Sequence, residues 1–188
     1  MIGAGGRAWQ IMLGLAASTA PLSPVAAEVV QAAQQGFVVH EHTVVQAGHD
    51  QVWAALVQPA LWWNKEHTWS GDAANLVLDA RGGGCFCEAV PGAGSAEHMA
   101  VVQAVPGSLL RMKGALGPLQ SEALAGVLTI EVKAADGRTS IDWTYVVGGY
   151  ARFPLQDIAP AVDTVLAEQA NRLAALVESG NPDHLSRP

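Results

Sequence analysis

The chain reads as an α+β protein: a curved antiparallel sheet of about seven strands wrapped around a long C-terminal helix, with two short helices after the first strand. Three observations lead there. Between residues 75 and 147, short apolar segments are separated by compact Gly- and Pro-containing turns, which argues for a meander rather than parallel units. Residues 139–147, TSIDWTYVV, alternate cleanly, with Ile141, Trp143, Tyr145 and Val147 on one face and Ser140, Asp142 and Thr144 on the other. After Asp157 the apolar period changes to three and four, through Ile158, Val162, Val165, Leu166, Gln169, Leu173, Leu176 and Val177. An aromatic inward face followed by a one-sided helix is buried by laying the helix across the concavity, which encloses an apolar cavity.

The elements follow in order. Residues 1–27 hold one charged side chain, Arg7, an apolar run over residues 8–17, and the small residues Val25, Ala26 and Ala27 before Glu28. That is the layout of a secretory signal; the alternative is a short helix packed on the domain. The run is too short to span a bilayer, and no later stretch reaches eighteen uninterrupted apolar residues. The expectation is an exported protein, periplasmic or extracellular, with no integral membrane segment after signal removal. One domain covers residues 28–180, and a flexible tail covers 181–188.

Residues 38–45, VVHEHTVV, carry β-branched side chains on both parities and suggest a strand covered on both sides. Residues 51–57 form a short helix with Trp53, Leu56 and Val57 as its apolar stripe, ended by Pro59, and residues 60–66 a second short helix or turn. Segments 75–80, 85–90, 97–105 and 109–113 are strands joined by Gly82-Gly83-Gly84, Pro91-Gly92-Ala93-Gly94 and Pro106-Gly107. Residues 115–126 read as a loop with a helical piece over an opening. Strands 127–134 and 139–147 meet at Ala135-Asp136-Gly137-Arg138, a hairpin signal. Asp157 caps the last helix, Pro160 falls in its first turn, and Gly180-Asn181-Pro182 stops it.

Charge and motif content exclude several functions. The net charge is −7, and the few Lys and Arg residues are scattered singly, so neither a nucleic-acid backbone nor an anionic membrane finds a basic stripe. Gly82-Gly83-Gly84 precedes a strand rather than a phosphate-binding helix, and GxSxG and HExxH are absent. The two cysteines, Cys85 and Cys87, sit in GGGCFCEAV. On an extended strand their α-carbons lie near the upper limit for a bridge, so two buried thiols are the expected state, with a local disulfide as the alternative. Neither a cofactor nor a metal is expected.

The opening strand feeding QVWAAL, the Trp62-Trp63 pair after Pro59, GGGCFCE and AVPGSLLRM together resemble the START-like, or SRPBCC, superfamily of helix-grip proteins, particularly its polyketide cyclase/dehydrase and Aha1-type branch. The resemblance covers residues 37–177. It implies the helix-grip fold and a cavity between sheet and helix that takes apolar or amphipathic small molecules, in some members for aldol-type cyclisation or dehydration. It transfers no catalytic motif.

Candidate residues follow from the elements. Trp62, Trp63 and Trp69 either line a cavity mouth or cement the short helices to the sheet, and Trp143 and Tyr145 either floor a pocket or pack the core. His67, Glu88, His98 and Tyr145 are the candidates for acid–base chemistry. Glu88, if inward, is expected to have a raised pKa suited to proton transfer. His40 and His42 share a face, but a metal site needs a third ligand from Glu88, His67 or His98. The expected function is binding of a small apolar or amphipathic molecule, with a cyclase or dehydratase in the same cavity, or a structural interaction role, as alternatives.

Overall fold

The computed structural model describes residue 1 and residues 26–184. The signal-peptide reading of residues 1–27 lies almost wholly outside these, as do residues 185–188. Eight strands form one antiparallel sheet: β1 (Ala26–Ala33), β2 (Gly36–Val45), β3 (Leu76–Leu78), β4 (Cys85–Val90), β5 (Gly94–Val105), β6 (Leu109–Lys113), β7 (Ala123–Ala135) and β8 (Arg138–Tyr150). Their order is β1-β2-β8-β7-β6-β5-β4-β3. Helix α1 (His49–Leu56) follows β2, and α2 (Leu155–Ser179) follows β8. Single 3₁₀ turns occupy Pro59–Leu61, Lys65–His67, Ala73–Asn75 and Gly117–Ser121.

The strand expected to open the sheet is therefore its second. β1 pairs with β2 from Ala26 opposite His42 to Ala33 opposite Gly36, a hairpin turning at Gln34-Gln35. It is an edge strand, and Val29 is its hydrophobic residue packed on the core while Val30 is exposed, so it shows no sustained alternation. The strand expected over residues 75–80 is shorter, spanning Leu76–Leu78.

β8 follows its alternation: Ile141, Trp143, Tyr145 and Val147 are buried. The β7–β8 turn has two residues, with Asp136 at φ 46° and Gly137 at φ 77°, both left-handed as a tight hairpin between right-twisted strands requires.

α2 begins two residues before the cap expected at Asp157. Pro154 is the N-cap and makes no side-chain cap bond; Leu155 is fully buried, and its N–H donates to Gln34 O at 3.0 Å. Burying a leucine side chain contributes about 2 kcal/mol and a side-chain cap about 1, so the tertiary anchor prevails. Pro160 consequently sits inside the helix rather than in its first turn, where it removes one intrahelical hydrogen bond. At the other end Gly180 adopts φ 75° and donates to Leu176 O at 2.8 Å. There Gln51 Nε2 donates to Val177 O and the Gln46 N–H to Glu178. α2 thus runs alongside β2 in the same direction, across the concave face, with Leu166, Ala170 and Leu173 in the core.

Cys85 and Cys87 form a disulfide, which corrects the expectation of two thiols. β4 holds their α-carbons 5.5 Å apart, well inside the range a bridge accepts.

Candidate functional site

A cavity of about 260 Å³ opens between α2 and the sheet. Its floor is made of the buried Trp63, His98, Leu119 and Leu166, and its rim of the exposed Glu66, Trp69, Pro118 and Ala161. Ile158, Val162 and Val165 present one face of α2 to it. The walls are therefore mostly apolar, interrupted by His67, Thr68 and His98.

His98 owes its place to a β-bulge. β4 and β5 pair Phe86 with Met99 and then Cys87 with Glu97, so β5 carries one extra residue, and both His98 and Met99 turn inward. Across the ladder Glu88 also points inward and is 1% exposed. Its carboxylate accepts from Trp69 N at 3.0 Å, from Ser70 N at 2.5 Å and from His98 Nε2 at 2.8 Å. Burial pushes the Glu88 carboxyl up, but the hydrogen bonds from Ser70, Trp69 and His98 outweigh it and hold it below the ordinary carboxylate range. The raised pKa expected for an inward Glu88 is thus overturned. The side chain is a fixed anion that ties the 69–70 backbone to the sheet and orients an imidazole, whose ring packs on Phe86 at 4.9 Å between centroids.

Two further networks hold the walls. Glu168 of α2 accepts from Asn64 Nδ2 and pairs with His67 Nε2 at 3.0 Å; the buried Gln169 accepts from Asn64 N at 2.8 Å. Arg172 Nε donates to Trp62 O at 2.7 Å, so residues 62–67 are fastened to α2 and present Trp63 to the cavity. On the opposite wall, the buried Tyr145 hydroxyl donates to Gly114 O at 3.2 Å and accepts from Leu116 N at 3.0 Å. Burial pushes this phenol up to about 12. The hydroxyl reaches the loop because Gly126 lacks a side chain: a Cβ there would lie 2.7 Å from it. Tyr145 therefore acts on the cavity through residues 114–119, which it anchors.

Of the residues singled out in the sequence, the structure brings Trp63, Trp69, His67 and His98 together at the cavity, with Glu88 directly behind His98. Trp62 and Trp143 lie outside its wall. They meet edge to face at 5.9 Å in the core, and Trp62 Nε1 donates to Ala55 O. His40 and His42 lie on the opposite face of the sheet, where His42 Nδ1 is 2.7 Å from Asp142 and His40 Nδ1 3.2 Å from Thr144 Oγ1. Among the described residues no three His, Cys, Asp or Glu side chains gather as metal ligands.

Sequence reading passed over Glu41 and Asp163. Glu41 lies between the two histidines on β2 but points inward, fully buried, opposite Trp143 in the register. Both its carboxylate oxygens, Asp163 Oδ1, Thr43 Oγ1 and Trp143 Nε1 have no hydrogen-bond partner among the described residues. Burial, followed by the facing Asp163, pushes Glu41 up to about 8, and burial also raises Asp163. The alternation Val39, Glu41, Thr43, Val45 was the available signal.

No family profile and no curated protein matches the sequence. Solved structures do. A conserved protein of unknown function, EF2215, from Enterococcus faecalis is 14% identical with a TM-score of 0.55, covering 86% of this chain and 82% of its own. An uncharacterized protein from Rhizobium leguminosarum is 20% identical with a TM-score of 0.54, covering 82% and 98%. The Aha1 dimer from Colwellia psychrerythraea is 13% identical with a TM-score of 0.53, covering 76% and 97%. The fold is a helix grip, a curved antiparallel sheet around a long C-terminal helix. At these identities the likeness speaks for architecture alone. The helix grip leaves a sheet-and-helix concavity of the kind that accommodates a small molecule.

Proposed function

We propose that the protein binds a small apolar or amphipathic molecule in the cavity between sheet and α2. The observation that carries this is the cavity itself: about 260 Å³, walled by Trp63, Leu119, Val162, Val165 and Leu166, with His67 and His98 among its few polar lining residues. Its volume lies just under the range of about 300 to 1,000 Å³ of ordinary ligand sites, which suits a molecule of one or two rings. Apolar burial supplies affinity, and His98 and His67 supply orientation. The polyketide cyclase and Aha1-type branch that the sequence resembles is consistent with this reading. So is an exported setting: the layout of residues 1–27 and a disulfide both suit an oxidising compartment.

Native mass spectrometry of the protein purified from its own compartment, followed by organic extraction, tests the reading. A stoichiometric small molecule is expected. A bare protein mass that no panel of aromatics or lipids shifts would sink it. The same measurement on Trp69→Ala separates site from scaffold. Trp69 is 52% exposed, so its loss changes stability by less than about 1 kcal/mol while weakening binding. Trp62→Ala in the core costs about 4 kcal/mol.

A second reading, an enzyme of cyclase or dehydratase type, is favoured by one feature. His98 is an imidazole oriented by a buried carboxylate at the floor of a substrate-sized cavity, an arrangement suited to moving a proton. Turnover of an extracted ligand by the wild type but not by His98→Phe is its test.

A further inference from the structure

The proton arrangement at the cavity floor narrows the ligand's chemistry. Both Glu88 oxygens accept backbone N–H groups, Oε1 from Ser70 and Oε2 from Trp69, and Oε2 also faces His98 Nε2 at 2.8 Å. A carboxylate with these partners has no proton to give, so Nε2 carries the hydrogen of that contact. In a neutral imidazole the other ring nitrogen then holds a lone pair. Among the described residues no protein group hydrogen-bonds to His98 Nδ1, while the ring forms part of the cavity floor. At the rim, His67 Nε2 meets Glu168, whose other oxygen accepts from Asn64 Nδ2, and the same logic leaves His67 Nδ1 as an acceptor. Tyr145 commits its proton to Gly114 O, accepts from Leu116 N, and is not among the residues lining the cavity.

We infer that the cavity selects compact apolar molecules bearing a hydrogen-bond donor, of the phenol, enol or alcohol class, through the acceptor nitrogen that Glu88 leaves open on His98. This rests on the reading of the cavity as a ligand site. An apolar molecule of the same size without a donor leaves a desolvated acceptor unpaired, and the loss of affinity on removing one such partner is about tenfold. Glu88 is a positioning residue here: it touches no ligand and sets which nitrogen is the acceptor.

The test compares 1-naphthol with naphthalene and 1-methoxynaphthalene, which are slightly smaller and larger and lack the donor. Binding to the wild-type protein is read by quenching of tryptophan fluorescence, since Trp63 and Trp69 line the site. Naphthol is expected to bind about tenfold more tightly than either, and in His98→Phe the three should bind alike. Long-range ¹H–¹⁵N correlation spectra of the wild type, which need no variant, should show His98 protonated at Nε2 and bare at Nδ1. If all three compounds bind the wild type equally, or if the proton sits on Nδ1, the donor rule is overturned while the cavity stands. If none binds, the ligand-site reading itself falls, and the rule with it.

Discussion

Two glutamates point into the same concave sheet and are treated in opposite ways. Glu88, on β4, receives three hydrogen bonds and is held ionised. Glu41, on β2 beneath α2, receives none, faces another carboxylate, and keeps its proton up to about pH 8. Both side chains are shut off from solvent, 1% and 0% exposed. Donor supply differs, and Glu41 also lies deeper and faces a second carboxylate. Residues 69–70 lie across the end of β4 with free N–H groups, whereas α2 lies over β2 with its own N–H groups committed to its helical ladder and only Asp163 to offer. The same side chain is therefore a structural anion in one half of the cavity protein and a proton-bearing acid pair in the other.

The contrast has measurable consequences, the largest at Glu88. Glu88→Gln puts one acceptor and an unwanted donor where three donors converge, and is expected to destabilise the fold by about 3 kcal/mol in urea unfolding at pH 7. A loss within 0.5 kcal/mol of zero, the range of an ordinary surface change, would mean the carboxylate is dispensable.

The two acids also give stability opposite pH slopes. Glu88 has a folded-state pKa below its ordinary 4.5, so its contribution is present above that value and fades as the pH falls through the folded one. Glu41 has its pKa raised to about 8, so the folded state keeps a proton that the unfolded chain releases, and stability declines as the pH rises from 4.5 to about 8. Because Asp163 is raised as well, the pair titrates as a unit. Glu41→Gln faces Asp163 with an amide donor that does not titrate, in place of a carboxyl proton that is lost near pH 8. It should flatten the alkaline limb and stabilise the protein by about 2 kcal/mol at pH 8, as read from unfolding midpoints across pH. An unchanged alkaline limb would show that the pair is already satisfied.

The smallest effect is at Thr43, whose hydroxyl also lacks a partner on this side of the sheet. Thr43→Val should stabilise by about 1 kcal/mol, because it removes a desolvated polar atom without enlarging the side chain. Destabilisation of that size instead would place a bound water on the hydroxyl and erase much of the contrast between the two halves.

How far the site was legible follows from these residues. Period-2 alternation made the inward face of β8 readable, and the change of period after Asp157 made α2 readable, because each pattern runs for several repeats. Neither property holds at the cavity floor. The bulge at His98 breaks the parity of β5 just where the site residue stands, and Glu88 sits on a strand of only six residues. Glu41 was hidden for another reason. Within VVHEHTVV the β-branched residues occupy both parities, so no single inward face is marked and Glu41 does not stand out as a buried charge.

Local pattern alone thus determined most of the architecture: the antiparallel meander, the hairpin at residues 135–138, the long one-sided helix and its place over the aromatic face, but not the edge strand β1. Those outcomes depend on interactions within a few residues or on faces that must be buried somewhere. Tertiary structure alone decided the chemistry. It set which carboxylate meets backbone N–H groups, which meets another carboxylate, and which imidazole stands between a carboxylate and the cavity. Each depends on partners between ten and more than a hundred residues apart: Glu88 with His98, His67 with Glu168, Glu41 with Asp163. No periodicity in a single segment encodes such a meeting, because the energy of a buried polar group is set by what stands opposite it in space.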